Sequence, residues 1–416
     1  MQTQTNKNTA LLTVFLAVLI DLLGFGIVLP LLPFYASTFN ASPITIGLLY
    51  SIYSFAQMVF SPIWGGLSDR IGRRPIMLLS TLGAAIAYTI FGLAHSLLIL
   101  FLSRLIAGIM GGNISTAQAY VADVTSLEDR AKGMGLIGAA FGIGFLLGPA
   151  IAAILIHPKF MSAFQISESY RYSIPGFFAA GMSLLSFLLV LFKLPESINL
   201  TNIDNVERVE KISIFSKSFW EYLFEERISH VKFLFPMLIG CMFLSSFGQS
   251  SLYSSLPLFC EELLTISAEK VGLLFAFMGL IGVLVQGGLL RILVKHCSEK
   301  KIFLVGTILM SSGLILISIA QNKNMLLGFL LFMALGWSLV IPTLTSLISK
   351  ESDPAKIGMT MGISQGIASL GRVIGPTWGG FLYSLSHRLP FLATGLIISL
   401  AIWVGLKLMP GRHTVK

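Results

Sequence analysis

Three charged side chains fall deep inside long apolar stretches: Asp21, Arg104 and Arg372. An ion placed in hydrocarbon is costly, so such residues mark a functional site by default. Asp21 is the one carboxylate placed at that depth. A carboxylate there can take up a proton from one side and release it to the other, with a neighbouring cation setting the balance between its two forms. Arg104 is the cation expected beside it. A cationic or polar substrate would compete with that proton. Arg372 lies on the Gln365, Ser369, Arg372, Pro376 side of its stretch. It could bind an anionic group of a substrate or pair with a polar neighbour; no carboxylate partner is placed at its depth.

These residues need a membrane-spanning frame, and the composition demands one. Of 416 residues, 55% are hydrophobic and only 11% are charged; the mean hydropathy is +0.84. One water-soluble globule cannot hide that much apolar surface. A soluble enzyme, a nucleic-acid-binding protein and a disordered chain are therefore excluded. At about 35 residues per span and connection the length fits roughly 12 spans. Apolar stretches are expected at 10–35, 44–66, 75–95, 97–122, 133–156, 173–193, 232–256, 270–294, 301–320, 325–348, 357–384 and 389–409. The first is too long for a signal peptide. The charged stretch 194–231 divides them six and six. Within it Phe215, Phe219 and Leu223 recur at helical spacing, which predicts an amphipathic helix on the membrane surface. The expected organisation is a six-helix bundle over 1–193, a linker over 194–231 and a second bundle over 232–416.

With both termini inside, the inner side collects 21 of the 28 Lys+Arg and the outer side five, Lys159, Arg171, Lys270, Lys323 and Arg388. Positive loops stay in the cytoplasm, so this bias predicts the orientation and explains the net charge of +9. Cys241, Cys260 and Cys297 fall at different depths, which predicts no disulfide.

The two halves repeat. Ile46-Gly47-Leu48-Leu49 matches Val271-Gly272-Leu273-Leu274. Gly144-x-x-x-Gly148-Pro149 in span 5 matches Gly371-x-x-x-Gly375-Pro376 in span 11, and Met134-Gly135 matches Met361-Gly362. Parallel repeats of this kind suit a rocking transporter with its substrate near mid-membrane, between the halves. Spans 5 and 11 are expected to pack against the opposite half and to seal or bend at the prolines.

After span 2 comes Gly65-Gly66-Leu67-Ser68-Asp69-Arg70-Ile71-Gly72-Arg73-Arg74-Pro75. This string resembles the signature between spans 2 and 3 of the major facilitator superfamily. Gly65 would let helices approach closely, Asp69 would face the start of span 11 near Lys356, and Arg70, Arg73 and Arg74 would pair with Asp123 as a conformational latch. The corresponding loop of the second half, Gly287-Gly288-Leu289-Leu290-Arg291, lacks the Asp. The span 5 motif is similar to that of the drug:proton antiporters of this superfamily, with Ala152-Ala153 in place of a Gly pair that span 11 keeps as Gly379-Gly380. The run from Asp21 to Pro33 resembles span 1 of the tetracycline-exporter branch, and Arg104 to Gly108 resembles the span 4 motif. That branch carries carboxylates in spans 3 and 9 and a His in span 8; this chain has Ala87, Met310 and Gly282 there. The resemblance implies an all-α membrane protein of two pseudo-symmetric six-helix bundles.

Polar stripes at helical spacing predict a wet cavity: Tyr50, Tyr53 and Gln57 in span 2; Ser115 and Gln118 in span 4; Gln249 and Tyr253 in span 7. Gln365 and Arg372 add to it from span 11, and Phe25 and Trp337 could stack on an aromatic substrate. The function expected is proton-coupled efflux of small amphipathic organic molecules by a monomer in the cytoplasmic membrane. The driving force is the proton gradient, with no cofactor or metal; no phosphate-binding loop for ATP is present. An importer or metabolite exporter, for a siderophore or sugar, would use the same motifs. A membrane enzyme would want carboxylate or His clusters at a membrane face, and a receptor would want a soluble sensory domain.

Overall fold

The computed structural model describes residues 2–126, 130–197, 234–351 and 357–408, with side chains from residue 9 onward except at 113, 130–133 and 357–359. The linker helix expected near Phe215 and the Lys356 end of span 11 lie outside the described residues. Among the described residues all regular structure is helical. Span 1 is Gln2–Ser37, span 2 Pro43–Ile71 and span 3 Arg73–Gly92. Span 4 comes in two pieces, Leu97–Met110 and Asn113–Val124. Spans 5 and 6 are Arg130–Leu155 and Ser173–Lys193, and span 7 is Leu234–Glu262. Span 8 runs from Ala268–Leu284 through a π-helical turn, Val285–Leu289, to Leu290–His296. Spans 9 to 12 are Glu299–Ile317, Lys323–Lys350, Ile357–Leu385 and Leu389–Leu408.

Helix is the form that satisfies every backbone group within one segment, which hydrocarbon requires. Ten of these spans are long and apolar enough to cross a membrane. The other two, spans 7 and 11, are 29 residues each. Polar residues dilute them: six serines between Ser245 and Ser255 in span 7, and Ser364, Gln365, Ser369 and Arg372 in span 11.

The chain forms two compact units. Unit 1 gathers the described residues of Met1–Ala41, Ile52–Arg208 and Ile266–Gly279; unit 2 gathers those of Ser42–Ser51, Val209–Thr265 and Leu280–Lys416. They follow the sequence halves except that the starts of spans 2 and 8 change sides. The core of unit 1 includes Val14, Leu22, Met77, Tyr120 and Ala140. That of unit 2 includes Leu238, Phe303, Leu344 and Ala401.

The repeated glycines explain the packing. A Cβ on Gly144 would come 2.6 Å from Cβ of Leu22, and one on Gly148 2.7 Å from Cα of Gly26. Span 5 therefore lies backbone-close on span 1. In unit 2, a Cβ on Gly371 would reach the Phe243 carbonyl at 2.8 Å, and one on Gly375 the Phe247 carbonyl at 2.5 Å, which seats span 11 on span 7. The paired motif thus packs span 5 on span 1 and span 11 on span 7, each within its own half, while the contact with the opposite half of the sequence expected for both helices is made on residues other than these glycines. The exchanged segments meet the same helices: Gly272 and Gly279 of span 8 approach the carbonyls of Pro149 and Phe145. Gly47 of span 2 faces Pro376, and Gly380 faces Pro43. Gly65 is different from expectation. Its nearest neighbour, Ser115 Oγ, would sit at an ordinary 3.6 Å from a Cβ. Gly135 and Gly362 face open space. Cys241 and Cys260 are buried free thiols and Cys297 an exposed one.

Candidate functional site

Asp21 is partly buried on span 1 and lines a small cavity wholly within unit 1. Leu22 and Phe25 from the same helix, Tyr53 from span 2, Ala84 and Tyr88 from span 3, and Ala107, Met110, Gly111 and Ile114 from span 4 complete the wall. Its free volume is about 30 Å³, room for one or two waters beside a carboxylate. The Phe25 and Tyr53 rings sit 5.2 Å apart, and Phe145 closes on Phe25 edge-on at 5.9 Å. The Tyr88 side chain lies within electrostatic reach of Tyr53, Arg104 and Asp21.

Arg104 is 2% exposed. Its guanidinium lies over the rings of Phe91 at 5.0 Å and Tyr88 at 5.7 Å. Nη2 donates to Ser103 Oγ at 3.2 Å, and Ser103 Oγ in turn donates to the Ala87 carbonyl at 2.9 Å. Aromatic faces and a hydroxyl thus contribute to holding the cation. Tyr88, a residue sequence reasoning passed over although it adjoins Ala87, touches both the cavity and Arg104. Gly24 makes the room: a Cβ there would meet the Tyr88 ring at 2.8 Å.

The second cluster surrounds Gly72. This residue has φ +101°, and a Cβ on it would run into the carboxylate of Glu196. Glu196 accepts from the backbone N–H of Arg73 at 2.8 Å and of Arg74 at 3.1 Å, and so caps the start of span 3. The side chain of Arg73 pairs with Asp69 at 2.6 Å and with Asp123 at 3.1 Å, and donates to Ser68 Oγ at 2.6 Å. Ser197 Oγ donates to Asp123 at 2.9 Å. Arg74 goes elsewhere, to the Leu191 carbonyl at 2.7 Å, and Arg70 is exposed. Only Arg73 of the three arginines therefore meets Asp123, and Asp69 finds Arg73. Glu196 was missed from sequence. Its signal was a carboxylate following span 6, on the side where the Arg-rich loop was placed.

The remaining candidates divide. Gln57 donates to the Gly111 carbonyl at 3.0 Å and Ser115 to those of Gly112 and Ser61 at 2.9 and 3.2 Å, so both close contacts between spans 2 and 4. Gln118 is exposed. Tyr50 is buried and belongs to unit 2 with Ser51, whose hydroxyl donates to the Val373 carbonyl at 2.5 Å. In unit 2, Tyr253 is hydrogen-bonded to Gln249 and lies within electrostatic reach of Arg372. Arg372 donates to Ser369 Oγ at 2.6 Å. Trp337 is partly buried and Gln365 exposed. No group of three or more His, Cys, Asp or Glu able to hold a metal occurs among the described residues.

Comparison with known proteins follows the same lines. The family model of the Major Facilitator Superfamily matches residues 14–376 and, again, 238–416. The class E tetracycline resistance protein of Escherichia coli is 32% identical over 92% of this chain and 89% of its own length. Multidrug resistance protein 2 of Bacillus subtilis is 27% identical over 96% and 95%. Among solved structures, the fold is shared with a bacterial homologue of the human lysosomal transporter Spinster, with TM-score 0.77, 14% identity and 95% of each chain covered. It is also shared with the human organic anion transporter MFSD10, with TM-score 0.68, 24% identity, and 96% of this chain and 99% of that one covered.

Proposed function

The chain belongs to the major facilitator superfamily of membrane transporters, and on that premise we propose that it is a proton-coupled exporter of small amphipathic organic molecules, working by alternating access. The observation that carries the reading is the position of Asp21, partly buried, in a water-sized cavity walled by three aromatic rings, one of which, Tyr88, lies against Arg104. An ionised carboxylate among aromatic faces attracts an organic cation. The same carboxylate, once protonated, does so far less. Proton and substrate then compete for one group, which is what couples inward proton flow to outward substrate flow. Relatives named as tetracycline and multidrug resistance proteins support the outward direction. Ala87, Gly282 and Met310, where the tetracycline branch has ionisable residues, favour a cargo other than tetracycline.

In this reading the protein works as a monomer in the cytoplasmic membrane, both termini inside, without catalytic chemistry or cofactor. The cluster around Arg73 and Asp123 is its conformational latch. Everted vesicles with an imposed acid interior test the reading. Accumulation of a fluorescent cationic drug that depends on the gradient and collapses in Asp21→Asn is expected; an unchanged rate in that variant overturns it. A second reading, transport of an organic anion, is favoured by Arg372 beside Tyr253 and Gln249. It predicts that an anionic dye is carried and that Arg372→Gln abolishes its transport while sparing the cationic drug.

A further inference from the structure

Span 4 is interrupted within its apolar stretch. Its first helix stops at Met110 and the second starts at Asn113. Gly111 and Gly112 between them have ψ near −2°, far from the helical value. Backbone groups freed inside a membrane must find other partners, and here they find side chains. Trp64 Nε1 donates to the Ile109 carbonyl at 2.5 Å, Gln57 Nε2 to that of Gly111 at 3.0 Å, and Ser115 Oγ to that of Gly112 at 2.9 Å. The fit is tight: a Cβ on Gly112 would come 2.7 Å from the Trp64 ring. Kinks of this kind arise where glycines meet side chains inserted into the ladder.

The second piece is a helix of 12 residues, Asn113–Val124, about 18 Å long. Next to its start, Met110, Gly111 and Ile114 line the Asp21 cavity. Its other end carries Asp123, held by Arg73 and Ser197. One short rigid element thus touches both clusters of unit 1.

We infer that Asn113–Val124 is a lever that transmits the charge state of Asp21 to the Asp123–Arg73 pair, with the Gly111–Gly112 break as its hinge and Gln57 and Trp64 as the positioning residues that hold the hinge open. The inference rests on the proton-coupling reading of Asp21. Near Asp21 are Tyr53 and Tyr88 in the cavity wall, with Arg104 against Tyr88; around Asp123 are Arg73, Asp69, Ser197 and Tyr120, with Glu196 and Arg74 beyond.

The test follows alkylation of a cysteine placed at Ser126, just past the lever, in full-length protein in liposomes. Cys297 is replaced by Ser; Cys241 and Cys260 are buried and silent. At each pH the alkylation rate is divided by that of the same cysteine in denatured protein, which removes the thiol's own titration. In the parent, this ratio changes between acid and alkaline buffer by about fivefold or more, the low end of measured couplings. Asp21→Asn makes the ratio independent of pH. Gln57→Met and Trp64→Phe, each keeping most of the side-chain volume, do the same while the carrier still binds a cationic dye. If both clamp variants keep the parental pH response while Asp21→Asn loses it, the lever is wrong and the Asp21 reading stands. A pH response that survives Asp21→Asn overturns both.

Discussion

At the scale of single residues, two requirements dominate: room for Tyr88 beside Asp21, and a positive φ at Gly72. Gly72→Ala adds a Cβ where the Glu196 carboxylate lies and forces an L-residue to φ +101°. With ψ at 156° this is backbone that glycine almost alone adopts, and it costs an L-residue about 1–3 kcal/mol before any steric overlap. The expected outcome is a lower thermal unfolding midpoint in detergent. In a Glu196→Ala background, where the cap is already lost and the space is free, Gly72→Ala incurs the backbone cost alone and lowers the midpoint less than it does in the parent; an equal loss in both backgrounds would mean that Glu196 does not occupy that space. Phe25→Ala is expected to weaken binding of a cationic dye by several-fold, as loss of one cation–π face of about 0.5–2 kcal/mol implies. Equal affinity in a dye-binding titration would remove Phe25 from the site.

At the scale of elements, spans 5 and 11 are set by glycine. Gly144→Val drives a branched side chain into Leu22, the neighbour of Asp21, and overpacking costs about 1–3 kcal/mol. Gly135→Ala on the same helix meets nothing within 4 Å and is expected to leave the unfolding midpoint unchanged. A matching loss in both variants would contradict the packing described. The sequence made these elements easy to read, since uninterrupted apolar runs announce their own helices and the Lys and Arg residues punctuate them. It also suggested Asp21 near Arg104, because each is an ion without water. It could not show that Tyr88 joins them at the cavity, since a tyrosine in a span is ordinary. Nor could it show that Gln57 serves a backbone carbonyl, because a polar stripe looks alike whether it faces a ligand or a neighbouring helix. The break in span 4 was equally hidden: two glycines in an apolar run fit a straight helix until their carbonyls are followed to Trp64 and Gln57.

At the scale of the whole molecule, duplication supplies the frame and asymmetry the function. The glycines of span 5 face Leu22 and Gly26 on span 1, while those of span 11 face Phe243, Phe247 and Ser250 on span 7. Where span 1 has its carboxylate beside Leu22, span 7 has serines beside Phe247. One unit thus carries an acid and Arg104, both within reach of Tyr88; the other carries Arg372 with Tyr253 and Gln249. The excess of Lys and Arg in alternate loops predicts that a reporter active only in the cytoplasm, fused after Lys416, is active, and that one active only outside is not. The reverse pattern would invert the proposed direction of transport.

The central claim is that Asp21 gives up its proton when substrate binds. A pH-sensitive dye outside detergent-solubilised carrier measures this directly. Adding a cationic substrate to the parent protein should release protons into a weakly buffered medium, and Asp21→Asn should release none. An equal proton signal from Asp21→Asn would contradict the account.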